Sequence, residues 1–83
     1  MNYTVTWVPS AEQRLADIWL NAPDRDAVTR AANDVDQRLR RDPENQGESR
    51  LAGRRILFSD PLWVIFRVFP DDRRVEVLTV WHV

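Results

Sequence analysis

The 83-residue chain contains no cysteine and no lysine, a single histidine, and only two glycines. Without cysteine there is no disulfide framework, no thiolate zinc site and no thiol nucleophile. With His82 as the lone imidazole, a multi-histidine metal site is excluded too, and no metal or cofactor is expected. The longest strictly apolar run, Leu62 to Phe66, falls far short of the roughly 20 residues a membrane span needs. Met1 to Ala11 holds no basic residue and no long apolar stretch, so no secretory signal is read there and a cytoplasmic protein is expected. An excess of one charge sign is also missing: 12 basic against 13 acidic residues give a net charge of −1. A globally basic nucleic-acid binder is therefore not indicated, although a local basic patch is compatible with this balance.

What is present points to one small folded domain spanning residues 1–83. The hydrophobic fraction of 43% and mean hydropathy of −0.50 are too apolar for a disordered chain and too polar for a membrane protein. Ordering a chain costs roughly 1.5 kcal/mol per residue, on the order of 100 kcal/mol here. No covalent staple offsets this, so burial must, and four Trp, three Phe and one Tyr are its natural source. Every basic residue is arginine. This fits bidentate recognition of phosphate or carboxylate, and equally a composition bias toward arginine codons.

Hydrophobic periodicity orders the chain as β-α-α-β-β-β. Tyr3 to Val8 is β-branched and aromatic, with Tyr3, Val5 and Trp7 on one face, and Pro9 stops the strand. Ser10 with Gln13 forms a capping box for a helix whose apolar stripe is Ala11, Leu15, Ile18 and Trp19. Asn21-Ala22-Pro23 breaks it. Pro23 suits the first position of a second helix, with Asp24 and Asp26 in its first turn and Arg38, Arg40 and Arg41 in its last. Its stripe is Val28, Ala31, Ala32, Val35 and Leu39, and Pro43 ends it. Residues 44–53 are a polar connection. The period then changes to two: a strand around Ile56 and Phe58, a central strand from Leu62 to Phe69, a turn at Pro70 to Arg73, and a last strand with Val75, Val77, Thr79 and Trp81 opposite Glu76, Leu78, Val80 and His82. The economical architecture is α+β, with two helices packed on a mostly antiparallel four-stranded sheet.

Charge is unevenly distributed. Residues 10–36 carry a net of −3, residues 37–55 a net of +3, and residues 56–83 a net of −1. The basic middle could hold a phosphate backbone or be a solvated helix end beside a defended sheet edge.

The element order, together with Leu62-Trp63-Val64-Ile65-Phe66-Arg67-Val68-Phe69, Asp71-Asp72 and the ending Val75-Glu76-Val77-Leu78-Thr79-Val80-Trp81-His82, resembles the RelE/ParE toxin superfamily over nearly the whole chain. The resemblance implies the toxin of a bacterial type II toxin–antitoxin pair, silenced by a cognate antitoxin that wraps it. RelE-like members cut mRNA on the ribosome without a metal; ParE-like members inhibit DNA gyrase and cut nothing. Three readings follow: a ribosome-dependent endoribonuclease with a weakened site, a non-enzymatic gyrase inhibitor, and a non-toxic antitoxin-binding relic of the fold. The oligomeric state is left open, a homodimer included.

Cleavage of the RelE kind needs a base for the ribose 2′-OH, a donor for the leaving oxygen and cations for the phosphate. Carried over by position, the resemblance implies His82 as acid or base, Glu48 as a loop base, and Arg54 and Arg55 as RNA contacts; Arg50, in the same basic stretch, is read as a further RNA-binding residue. Trp63 stands where the family has a phosphate-contacting arginine, a departure that weakens the nuclease reading. Arg67, four residues on and on the same face by strand parity, is the substitute. Each has an ordinary alternative. His82 can be a surface imidazole, Glu48 a solvated acid, and Arg54 and Arg55 edge charges. Arg67 can pair with Glu76 across the hairpin. Trp63 is read as a core or partner-binding side chain, suited to anchor an antitoxin segment, while Trp7, Trp19 and Trp81 are read as core.

Overall fold

The computed structural model describes residues 2–83. The elements are β1 (Thr4–Trp7), α1 (Pro9–Asn21), α2 (Arg25–Arg41), β2 (Glu48–Ser49), β3 (Arg54–Ser59), β4 (Leu62–Phe69) and β5 (Arg74–His82). They form one five-stranded sheet in the order β1-β5-β4-β3-β2. β1 runs parallel to β5, and the other pairs are antiparallel. The architecture is α+β with both helices on one face, as expected, but the sheet is mixed and has a fifth strand. That strand, Glu48–Ser49, lies inside the stretch read as polar connection; two residues carry no periodicity to detect. No helix among the described residues is long and apolar enough to cross a membrane.

The helix starts differ from their sequence signals. α1 begins at Pro9, with Val8 as N-cap and no side-chain capping bond, so the Ser10 capping box does not form. Pro9 is preorganised for the first helical position and overrides the serine one residue later. α2 begins at Arg25, not Pro23, because Asp24 is the N-cap and its carboxylate accepts from Ala27 N at 3.1 Å.

The core lies between helices and sheet. Ala11 of α1 and Val28, Ala31, Val35 and Leu39 of α2 meet Leu57, Leu62, Val64, Phe66, Val75, Val77 and Val80 of the sheet. Polar ties fix the layers. Trp7 Nε1 donates to Asp36 Oδ1 at 2.8 Å, Ser59 Oγ to Asp34 Oδ2 at 2.8 Å, and Arg14 Nε to Val80 O at 2.7 Å. Trp7 thus lines the core edge, whereas Trp19, expected in the core, remains 39% exposed beside α2, where Nε1 donates to Thr29 Oγ1.

One irregularity decides the faces of β5. Phe66 pairs with Val77 and Ile65 with Thr79, which leaves Leu78 as an extra, unpaired residue. Such a bulge reverses side-chain parity beyond it. Val75 and Val77 face the helices before the bulge, and Val80 does so after it. Thr79 and Trp81 therefore turn to the opposite, open face, and His82 turns to the helix side.

Candidate functional site

The open face of the sheet carries no helix, and its side chains form rows across the strands. The row Arg54–Arg67–Glu76–Thr6 crosses β3, β4, β5 and β1. Beside it runs the row Glu48–Ile56–Ile65–Thr79, and beyond that the aromatic row Phe58–Trp63–Trp81. On the other flank of the charged row lies Phe69–Arg74–Thr4.

The charged row is unbalanced. Arg54 and Arg67 are direct cross-strand partners, an arrangement that repels in the absence of an anion. Both are exposed, and neither joins an ion pair among the described residues. The nearby carboxylates are engaged elsewhere. Glu76, in register with Arg67, bonds to Arg74, and Glu48 pairs with Arg50 at 3.1 Å. The expected Arg67–Glu76 pair is thus replaced by an Arg74–Glu76 pair along β5. Arg67 leans on the Phe69 ring with its guanidinium carbon 5.2 Å from the centroid, and Arg74 stacks on the same ring at 4.2 Å. Phe69 so orients two guanidiniums in a row of its own kind of chemistry, cation over ring face.

The aromatic row is a shelf. Phe58 and Trp63 centroids are 4.6 Å apart, and Trp63 and Trp81 are 6.3 Å apart and within 13° of parallel. Phe58 is 40% exposed, and the two indoles are half-buried. Trp81 is therefore not a core residue: the bulge at Leu78 moves it to the shelf. Trp63 is on the open face with Arg67, as strand parity requires, but separated from it by four residues, roughly 13 Å at about 3.3 Å per residue.

Of the candidate residues Arg54, Arg55, Arg67 and His82, two share the open face and two do not. Arg54 and Arg67 come together. Arg55 lies on the other side of β3, where Nε donates to Gln46 O at 2.9 Å and Nη2 to Gly47 O at 3.2 Å, holding the loop before β2. Arg50 is at the sheet edge, paired to Glu48 and donating to Ser49 O. His82 lies behind the sheet, beside the α1–α2 turn, with Nδ1 3.0 Å from Val83 O. Glu76 and Trp81 are open-face residues that sequence reasoning passed over as site members; the position of Trp81 depends on the bulge, whereas Glu76 lies before it. Among the described residues no group of three His, Asp or Glu side chains converges as a metal-holding set.

The loop leading into β2 depends on Gly47. At φ +65°, a Cβ there would lie 2.0 Å from Ile56 O, so only glycine allows the backbone to approach β3 this closely.

No protein-family model and no curated protein matches the sequence. Solved structures do match. The chain superposes on a chain of the toxin–antitoxin complex RelBE2 from Mycobacterium tuberculosis with a TM-score of 0.79 and 19% identity, covering 100% of this chain and 93% of that one. It superposes on a chain of the chromosomal ParDE toxin–antitoxin system from P. aeruginosa with a TM-score of 0.71 and 20% identity, covering 98% and 96%. This is the RelE/ParE fold. Within the RelE/ParE fold of this chain, the position that the resemblance assigns to a phosphate-contacting arginine belongs to the aromatic shelf through Trp63. The facing pair Arg54 and Arg67 lies further along the strands.

Proposed function

We propose that this chain is the toxin of a bacterial type II toxin–antitoxin pair and acts on mRNA through the open face of its sheet. The observation that carries this reading is the pair of facing guanidiniums, Arg54 and Arg67, neither in an ion pair among the described residues, beside a partly exposed aromatic shelf. Two phosphate ligands next to stacking surfaces are what a single-stranded nucleic acid requires. In this reading the ribose 2′-oxygen bonds to phosphorus as the P–O5′ bond breaks, leaving a 2′,3′-cyclic phosphate and a 5′-hydroxyl that takes its proton from solvent, while the pair holds the phosphodiester and stabilises the charge that builds on it. Glu76, next in the row, is the carboxylate placed to receive the 2′-OH proton. Glu48, one row away, is the other. His82 has no part in this step, because the sheet lies between it and the arginines. A cognate antitoxin would silence the protein by covering the same face, with Phe58, Trp63 and Trp81 as its apolar anchors.

The position of His82 and the presence of Trp63 favour a second reading, a non-enzymatic toxin of the gyrase-inhibiting kind. Controlled expression separates the two. New mRNA ends by primer extension, lost in Arg67→Ala and in Glu76→Gln, support cleavage. Intact mRNA with inhibited supercoiling by purified gyrase supports the alternative. Normal growth without either effect refutes the toxin reading.

A further inference from the structure

On the helix side of the sheet, a cavity of about 240 Å³ opens where the end of α1, the start of α2, the β3–β4 turn and the end of β5 meet. Ile18, Ala27, Val28 and Pro61 give it apolar walls, while Asp24, Asp60 and His82 supply its polar groups. The volume is below the roughly 300–1,000 Å³ of sites for drug-sized ligands; it suits one long side chain.

The polar groups share one character: they accept. Nδ1 of His82 faces Val83 O, which can only accept, so Nδ1 carries the proton and Nε2 is left as an acceptor in the neutral ring. Asp60 makes no ion pair among the described residues. Asp24 uses Oδ1 to cap α2. Asn21 spends its Nδ2 on Asp17 O at 2.8 Å. Among the described residues no arginine lines the cavity. Arg25 stands nearby but is turned to α1: it donates to Trp19 O and Leu20 O and stacks on the Trp19 ring at 4.7 Å. The negative end of the α1 dipole lies at the same corner, and Asp24 and Asp26 already meet the positive end of α2.

We propose that this cavity receives an arginine side chain from a partner protein. The methylene stem would lie against Ile18, Ala27, Val28 and Pro61. The guanidinium, with five donors in a plane and no acceptor, would meet Asp60, the second oxygen of Asp24 and Nε2 of His82. An ammonium offers no planar fork for acceptors spread over three elements, and an aliphatic side chain leaves them unused. This site lies on the opposite side of the sheet from Arg54 and Arg67, so it stands or falls separately from the reading of the open face.

The test is an NMR titration of the full chain with N-acetyl-arginine amide, alongside the lysine, norleucine and citrulline amides, the last being a neutral near-isostere. The expected result is saturable shifts of Ala22, Ala27, His82 and Val83 with the arginine compound, and clearly weaker binding of the other three. Asp60→Asn should weaken binding roughly three- to tenfold. Ala27→Leu, which fills the cavity without touching an acceptor, should abolish the shifts while leaving far-UV circular dichroism unchanged. Citrulline or norleucine binding as well as arginine, lysine binding as well as arginine, or indifference to Ala27→Leu would each overturn the assignment. A concentration-dependent dimer dissolved by the arginine compound would put a second copy in the cavity and overturn the separate partner.

Discussion

If Arg54 and Arg67 are positioned for an anion and not for each other, removing one charge should strengthen the fold while weakening the function. Arg54→Gln is the cleanest perturbation. It keeps most of the aliphatic stem, and among the described residues Arg54 has no ring or carboxylate partner to lose, whereas Arg67 also stacks on Phe69. Direct cross-strand neighbours have Cα atoms about 4.5–5.5 Å apart. Two unit charges about 6 Å apart in water repel by about 0.7 kcal/mol, within the range of roughly 0.2–1 kcal/mol for cross-strand pairs. Taking about 0.5 kcal/mol, and about 4–8 °C per kcal/mol for a domain of this size, Arg54→Gln should raise Tm by about 2–4 °C in 10 mM salt. The gain must vanish near 1 M salt, where the screening length shrinks to about 3 Å. Thermal unfolding followed by circular dichroism at the two salt concentrations measures it. The same variant should bind single-stranded RNA more weakly, with the slope of log K against log salt reduced by about 0.7 for the lost phosphate contact. A lower or unchanged Tm at low salt would refute the reasoning, as would a gain that survives 1 M salt, because the pair would then not be repelling.

Gly47→Ala combines a left-handed backbone with a Cβ 2.0 Å from Ile56 O. The conformation alone costs about 1–2 kcal/mol, and the contact must also push β2 off β3, so urea unfolding should show a larger loss than that; a loss below about 1 kcal/mol would contradict the close approach. Tyr3 is the sole tyrosine, so absorbance at 295 nm reports it alone. Its hydrogen bond to Glu44 holds the phenol above its ordinary pKa of 10.0, desolvation and the Glu44 charge add to this, and Arg73 opposes it. The folded value is raised, so the stabilisation is complete below the unfolded pKa and disappears as pH climbs through the folded one. Glu44→Gln should bring the midpoint down, and an unmoved midpoint would show that Glu44 is not the cause.

The apolar stripe of α2, that of α1 except Trp19, and the strand run Leu62–Phe69 were legible because burial imposes its period on the sequence. Val28, Ala31, Val35 and Leu39 were all read as one face, and all four are buried. The helix starts were less legible, since Pro9 and Ser10, or Pro23 and Asp24, are competing start signals one residue apart. β2 escaped notice for a different reason. Its two residues are placed by the geometry of Gly47 and by Arg55 gripping the Gln46 and Gly47 carbonyls, and neither leaves a trace of alternation.

The site was legible only up to Leu78. Strict alternation along β5 puts His82 on the face of Glu76 and Arg67, six residues further along the strand. One unpaired residue reverses that, and no side-chain property of Leu78 announces it: it is half-buried and β-compatible on either face. The consequences are chemical. Before the bulge, β5 gives the open face a carboxylate, Glu76, and an arginine, Arg74; after it, β5 gives the same face Thr79 and an indole, Trp81. The imidazole that alternation would have placed on the open face lies instead in a cavity lined by acids and aliphatic groups. A single backbone insertion therefore adds Trp81 to the aromatic shelf of the open face, and leaves the histidine behind the sheet with acceptors for company.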